Sequence, residues 1–129
     1  MRYGYTIVYV ADVEATLAFY ERAFGLARRF LDDSGQYGEL DTGATTLAFS
    51  RYDLAETLIP GGYTPVRPGE PPAGVELGLV TEDVAGAYAR AVAAGATPLQ
   101  EPAEKPWGQT VGYVRDLNGV LVEICSPMG

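Results

Sequence analysis

The sequence predicts an α+β fold built from two β-α-β-β-β modules, whose curved mixed sheets pair around a cleft. Three observations carry this. The order strand, helix, three strands is read twice along 129 residues. The two readings echo each other locally, "DVEATLAFYERAFG" against "DVAGAYARAVAAG" and "SGQYGELDTG" against "WGQTVGYVRDLNG". Repetition on this scale points to modules that share a core. Between them lies "LIPGGYTPVRPGEPPAG", whose Pro and Gly load cannot support a regular element. The length suits one ordinary domain, and neither half alone buries enough apolar surface to stand by itself. The organisation expected is a single domain over 1–129, with module 1 at 1–57, a linker loop at 58–74 and module 2 at 75–129.

Each element has its own signal. "RYGYTIVYV" alternates and is rich in Tyr, Ile and Val, the mark of a strand. Asp12 is a fitting N-cap for the helix that follows, Val13, Leu17, Phe19, Tyr20 and Phe24 recur at helical spacing, and Gly25 stands where a helix C-terminal glycine belongs. "LARRFLDD", "GQYGELDT" and "TTLAFSRY" read as three short strands, separated by Ser34-Gly35 and Thr42-Gly43. In the second half "GVELGLV" is a strand. "TEDVAGAYARAVAAG" is a helix that starts near Thr81 or Glu82-Asp83 and ends at Gly95. "TPLQEPAEK", "WGQTVGYVRD" and "GVLVEICS" complete the set, the last two joined by Asp116-Leu117-Asn118-Gly119.

Composition excludes several functions. A net charge of −8 and a pI near 4.4 argue against binding a phosphate backbone, which relies on clustered Lys and Arg. No apolar run approaches the roughly 20 residues of a membrane span, and the N-terminus lacks a signal-peptide pattern. A lone Cys125 precludes an internal disulfide. A soluble cytoplasmic protein with neither nucleic acid nor membrane as partner is the expectation. There is no histidine, which removes the commonest general base and the commonest transition-metal ligand together. Ser-His-Asp and Cys-His nucleophile systems are thereby excluded.

Glu123 is the residue that asks for an explanation, because it sits in a strand that otherwise reads as core. Three roles are open to it: metal ligand, catalytic base, or counter-charge for a bound cation. A salt bridge to Arg115 or Lys105 is the plainer alternative. A carboxylate desolvated by Leu121 and Tyr113 would titrate high. Trp107 is either a plug at a strand start or a stacking wall for an aromatic or cationic ligand. Tyr5, Tyr37 and Tyr113 are candidates to line a cleft, and Tyr63, in the linker, to reach over it. Cys125 reads as a small buried hydrophobe, with no neighbour to activate it.

The paired modules, "FYERAFGL" closing the first helix, "AVAAGATP" closing the second and "GYVRDLNGVLVEI" near the end resemble the vicinal oxygen chelate superfamily. That group includes glyoxalase I, extradiol dioxygenases, fosfomycin-resistance enzymes and bleomycin-resistance proteins. The resemblance spans essentially the whole chain and implies the fold more strongly than any reaction. It implies a divalent metal in the cleft, held by His and Glu side chains and stabilising charge on the substrate. The ligand positions fall at Tyr5, near Ala48, at Val75 and at Glu123, and only Glu123 keeps a suitable side chain. One carboxylate is not a metal site, since catalytic zinc takes about three protein ligands; neither metal nor other cofactor is therefore expected. In acidity and loss of metal ligands the chain resembles the bleomycin-resistance proteins, which implies metal-independent binding of a small molecule, with sequestration of a cationic or aromatic compound such as an antibiotic, by a homodimer. Glu123 would supply charge, and Tyr5, Trp107 and Tyr113 walls. The alternative is a lyase, isomerase or dioxygenase relative that uses Glu123 as base or ligand, so catalysis stays open.

Overall fold

The computed structural model describes residues 1–128. The chain divides into two compact units, Met1–Pro65 and Val66–Gly129, and the boundary falls inside the segment expected to be linker. Among the described residues they hold two four-stranded mixed sheets and three helices, the α+β architecture the repeat predicts.

The first unit runs β1 (Tyr5–Val10), α1 (Val13–Phe24), β2 (Arg28–Leu31), β3 (Tyr37–Leu40), β4 (Thr46–Arg51) and α2 (Tyr52–Leu58). Its sheet order is β1-β4-β3-β2, with β1 parallel to β4 and the other pairs antiparallel. α1 begins and ends on the expected signals. The Asp12 carboxylate accepts the Ala15 N–H at 2.9 Å, and Gly25 takes φ 68°, a left-handed conformation that favours glycine. Asp12→Ala should cost about 1 kcal/mol in urea unfolding; an unchanged midpoint would show that the cap adds nothing. The helix buries Val13, Leu17, Phe19 and Tyr20, and the Tyr20 ring sits 5.1 Å from both Phe24 and Phe49. α1 lies so close to the sheet that a Cβ on Gly38 would come within 2.7 Å of Leu17 Cδ1. Gly38 therefore faces the helix. By the period of two along a strand, Tyr37 and Glu39 face the other way.

α2 departs from expectation. The sequence reads as strand through Tyr52, assigns no element to residues 53–57 and starts the linker at Leu58, but the strand stops at Arg51 and a seven-residue helix follows. Only Ala55 of it is buried, so no apolar periodicity announced it. Its start is held by charge instead: Arg51 donates to Asp53 through Nε at 2.8 Å and Nη2 at 2.9 Å. That hydrogen bonding holds the Asp53 carboxyl down at about 2.

The second unit runs β5 (Glu76–Val80), α3 (Val84–Ala93), β6 (Thr97–Glu104), β7 (Thr110–Arg115) and β8 (Leu121–Cys125). Its order is β5-β8-β7-β6, again with one parallel pair, β5 and β8. Asp83 caps α3, accepting the Gly86 N–H at 3.0 Å. The "DLNG" turn closes on the buried Asp116 carboxylate, which accepts N–H groups from Asn118 and Val120 at 2.8 and 2.9 Å. A Cβ on Gly112 would lie 3.2 Å from the Tyr88 ring of α3. Gly112, Val114, Val122 and Ile124 thus face the helix, and Tyr113 and Glu123 occupy the helix-free face. Among the described residues no helix is long and apolar enough to cross a membrane.

Candidate functional site: a carboxyl pair on the second sheet

β8 lies between β5 and β7, so Glu123 has a neighbour on each side. Tyr113 is its register partner on β7 and Gly78 its partner on β5. Glu76 precedes Gly78 by two residues, shares its face, and stands diagonally across from Glu123. The two carboxyl groups are close enough for Glu76 to act directly on Glu123. This corrects the position assigned from sequence. Val75 was set as the second-module counterpart, but the residue brought to Glu123 is Glu76, one place on. A one-residue slip sends a strand side chain to the opposite face.

The pair's electrostatics follow from burial and like charge. Glu123 is pushed above the ordinary carboxylate range, first by burial and then by the neighbouring Glu76 carboxyl. A neighbouring carboxylate makes the Glu123 carboxyl harder to ionise. Tyr113 is pushed up by burial and then by Glu76 and Glu123, and it stays a neutral phenol. Burial and the same two carboxyls push the Cys125 thiol up. Cys125 is buried, with Sγ 3.8 Å from the Leu79 carbonyl oxygen, and is no nucleophile.

No Lys or Arg forms an ion pair with Glu76 or Glu123 among the described residues. Of the two cations offered by the sequence, Lys105 forms no ion pair with Glu123 among the described residues, and Arg115 is committed elsewhere. Its Nε donates to the Gly119 carbonyl at 3.0 Å and its Nη2 to the Arg67 carbonyl at 3.1 Å. Opposite Glu123 the sheet has no side chain, because Gly78 is there; a Cβ would sit 3.9 Å from Glu123 Oε2. The result is an acidic notch, walled by Tyr113, with no internal counter-charge.

The other candidates are dispersed. Trp107 stands on the turn between β6 and β7 and is 64% exposed, so it is not a plug. Its Nε1 donates to Gln109 at 2.8 Å, and Gln109 Nε2 donates to the Ser126 carbonyl at 2.8 Å, beyond the end of β8. Tyr5 and Tyr37 share the helix-free face of the first sheet. The Tyr37 hydroxyl donates to Glu39 at 2.7 Å, and burial followed by that bond pushes the phenol up. Glu39 also meets Arg29 at 3.8 Å. Tyr63 packs its ring 4.8 Å from Tyr9 and 6.2 Å from Tyr52, which fixes it to the first unit. Glu76 is the residue sequence reasoning missed. The available signal was that Leu77 and Leu79 must face α3, which sends Glu76 to the face of Glu123.

The donor set does not suit the metal that the fold implies. No cluster of three or more His, Cys, Asp or Glu among the described residues is arranged to hold an ion. Zinc takes about three protein ligands, and here two carboxyl groups stand together.

A family model described as the glyoxalase/bleomycin resistance protein/dioxygenase superfamily matches residues 2–124. Among solved structures, a glyoxalase-related enzyme from Fulvimarina pelagi is similar at 26% identity, with a TM-score of 0.82 over 98% of this chain and 88% of that one. A glyoxalase/bleomycin resistance protein/dioxygenase family enzyme from Burkholderia phytofirmans PsJN shares 23% identity, with a TM-score of 0.72 over 95% of this chain and 96% of that one. TioX from Micromonospora sp. ML1 also shares 23% identity and a TM-score of 0.72, covering 98% of each chain. A search of curated proteins returned no match. The family match over nearly the full length agrees with the doubled β-α-β-β-β topology, and the chain belongs to the glyoxalase/bleomycin resistance protein/dioxygenase superfamily.

Proposed function

We propose that this protein binds a cationic small molecule without a metal and sequesters it, with an antibiotic among the compounds that fit. The observation that carries the reading is the Glu76–Glu123 pair. Two carboxyl groups are held together and partly desolvated on a helix-free face, and neither is given a basic partner. Such a pair is costly to keep in a fold, and a ligand's cation would supply the missing charge. Tyr113 would add a flat apolar wall with a neutral hydroxyl, and cation–aromatic attraction would reinforce the carboxylates. The exposed Trp107, in the same unit as the pair, offers further aromatic surface. Homodimeric assembly is part of this reading, on family resemblance.

The test uses metal-free bleomycin as the probe and EDTA-treated protein. A rise in Tm on adding the probe, largely lost in Glu123→Gln, is the expected result. A stoichiometric divalent metal by elemental analysis, with no probe response in its absence, would overturn the reading.

One observation favours a second reading. A carboxyl raised above its ordinary range is suited to general-base work near neutral pH. Glu123 would then take a proton from a bound substrate, as in an isomerase or lyase.

A further inference from the structure

The internal repeat exposes a difference between the two units. Leu17 of α1 packs on Gly38, and at the matching place in α3 Tyr88 packs on Gly112. The longer side chain carries a hydroxyl into the space between helix and sheet, where its oxygen is buried and has no hydrogen-bond partner. Farther along α1, Phe19, Tyr20 and Phe24 fill the space beside the sheet with one ring cluster. α3 has Arg90 and Ala91 where α1 has Phe19 and Tyr20, and it buries only Val84 and Ala91. The space left over is a groove of about 580 Å³ between α3 and β6, walled by Val92, Ala93, Pro98 and Leu99. Tyr88 lies in its lining, and Glu101 is the one charged side chain there.

A buried polar atom without a partner calls for one, and the volume falls in the range of small-molecule pockets. The groove does not suit an added strand. β6 is the sheet edge, but Pro98 and Pro102 interrupt its free hydrogen-bonding groups, and its pairing with β7 shifts register twice; these are devices that block edge pairing.

We propose that the groove between α3 and β6 is a second binding site, which takes small hydrophobic amines. The apolar body lies against Val92, Ala93, Pro98 and Leu99. The ammonium group donates to the exposed Glu101 carboxylate, the one charged acceptor of the lining. Burial and then the charge of Glu101 push the Tyr88 phenol up, which keeps it a neutral hydroxyl and shows that the two groups sense each other. This site is separate from the Glu76–Glu123 pair and does not depend on it.

The experiment is an amide-resolved NMR titration of the full chain with 2-phenylethylamine, with 2-phenylethanol as the neutral control. Both are run on the wild type and on Glu123→Gln. Saturable shifts at Val92, Ala93, Leu99 and Glu101, the same in both proteins, are expected. Glu101→Gln should weaken binding about two- to fivefold, the scale of one exposed ion pair, and Ala93→Trp, at an exposed position, should fill the groove and abolish it. The proposal is overturned if shifts are confined to the Tyr113 and Glu123 region and vanish in Glu123→Gln. It is equally overturned if the alcohol binds as well as the amine, if Glu101→Gln changes nothing, or if no saturable shift appears. Failure of the bleomycin test leaves these outcomes unaffected, so the two readings fail separately.

Discussion

Glu123→Gln should make the protein more stable at pH 8, by about 1–2 kcal/mol, and leave stability unchanged at pH 3.5. The direction follows from proton counting. The Glu123 carboxyl is raised in the folded chain above its ordinary value. Below that ordinary value both states carry the proton, so the neutral amide and the neutral acid are equivalent. Between the ordinary and the raised value the folded state holds a proton that the unfolded state has released. Wild-type stability therefore falls as pH rises through that window. Glutamine has no proton to lose. Urea unfolding of both proteins at the two pH values reads the difference, because every other titrating group is common to both. Glu76→Gln should act in the same direction and by less, since Glu76 is more exposed. A loss of stability at pH 8 would mean that Glu123 is paired with a cation after all, and the notch would have no vacancy to offer a ligand.

The same substitution is predicted to cost ligand affinity while it adds stability. That opposition distinguishes a site from a structural residue. A carboxylate that served the fold would lose stability on neutralisation, and one that served nothing would leave affinity alone. Proteins retain local destabilisation chiefly where function needs it.

Most of the fold was legible because its signals are local and repeated. Asp12 and Gly25 bracket α1, "DLNG" closes the last hairpin, and the two halves confirm each other. α2 was not legible, because it rests on an Arg51–Asp53 ion pair rather than on a buried stripe. The site was half legible. Glu123 stood out as a charge inside an apolar strand. Glu76 did not, because it opens a strand in which both faces carry apolar residues, Leu77 and Leu79 on one and Val80 on the other. Only the packing of α3 decides which face is which, and that is a tertiary fact. Trp107 drew attention as a large aromatic beside a glycine, yet hydrogen bonding through Gln109 to Ser126 carries it past the end of the strand that bears Glu123.

Gly119→Ala should be among the most damaging single-methyl changes in the chain, at about 2–4 kcal/mol. Gly119 has φ 91°, which L side chains rarely adopt. Its neighbours are also rigid: an added Cβ would lie 2.7 Å from the Arg67 carbonyl carbon and oxygen and 2.8 Å from the Pro68 nitrogen. All three are backbone atoms that no rotamer change can move aside. Gly108→Ala provides the control, since Gly108 has the same φ of 91° and nothing within 4 Å of its Cβ position; it should cost about 1 kcal/mol. The excess in Gly119→Ala measures the close approach. That approach joins the segment leading into β5 to the turn between β7 and β8, and Arg115 ties the two by donating to both the Gly119 and the Arg67 carbonyls. Glu76 begins β5, so loosening the tie should also let Glu76 drift from Glu123. In Gly119→Ala the pH-dependent stability difference between glutamate and glutamine at position 123 should therefore shrink. If the two alanine variants unfold at the same urea concentration, the Arg67 backbone is not held against the turn, and the placement of Glu76 must be explained by β5–β8 pairing alone.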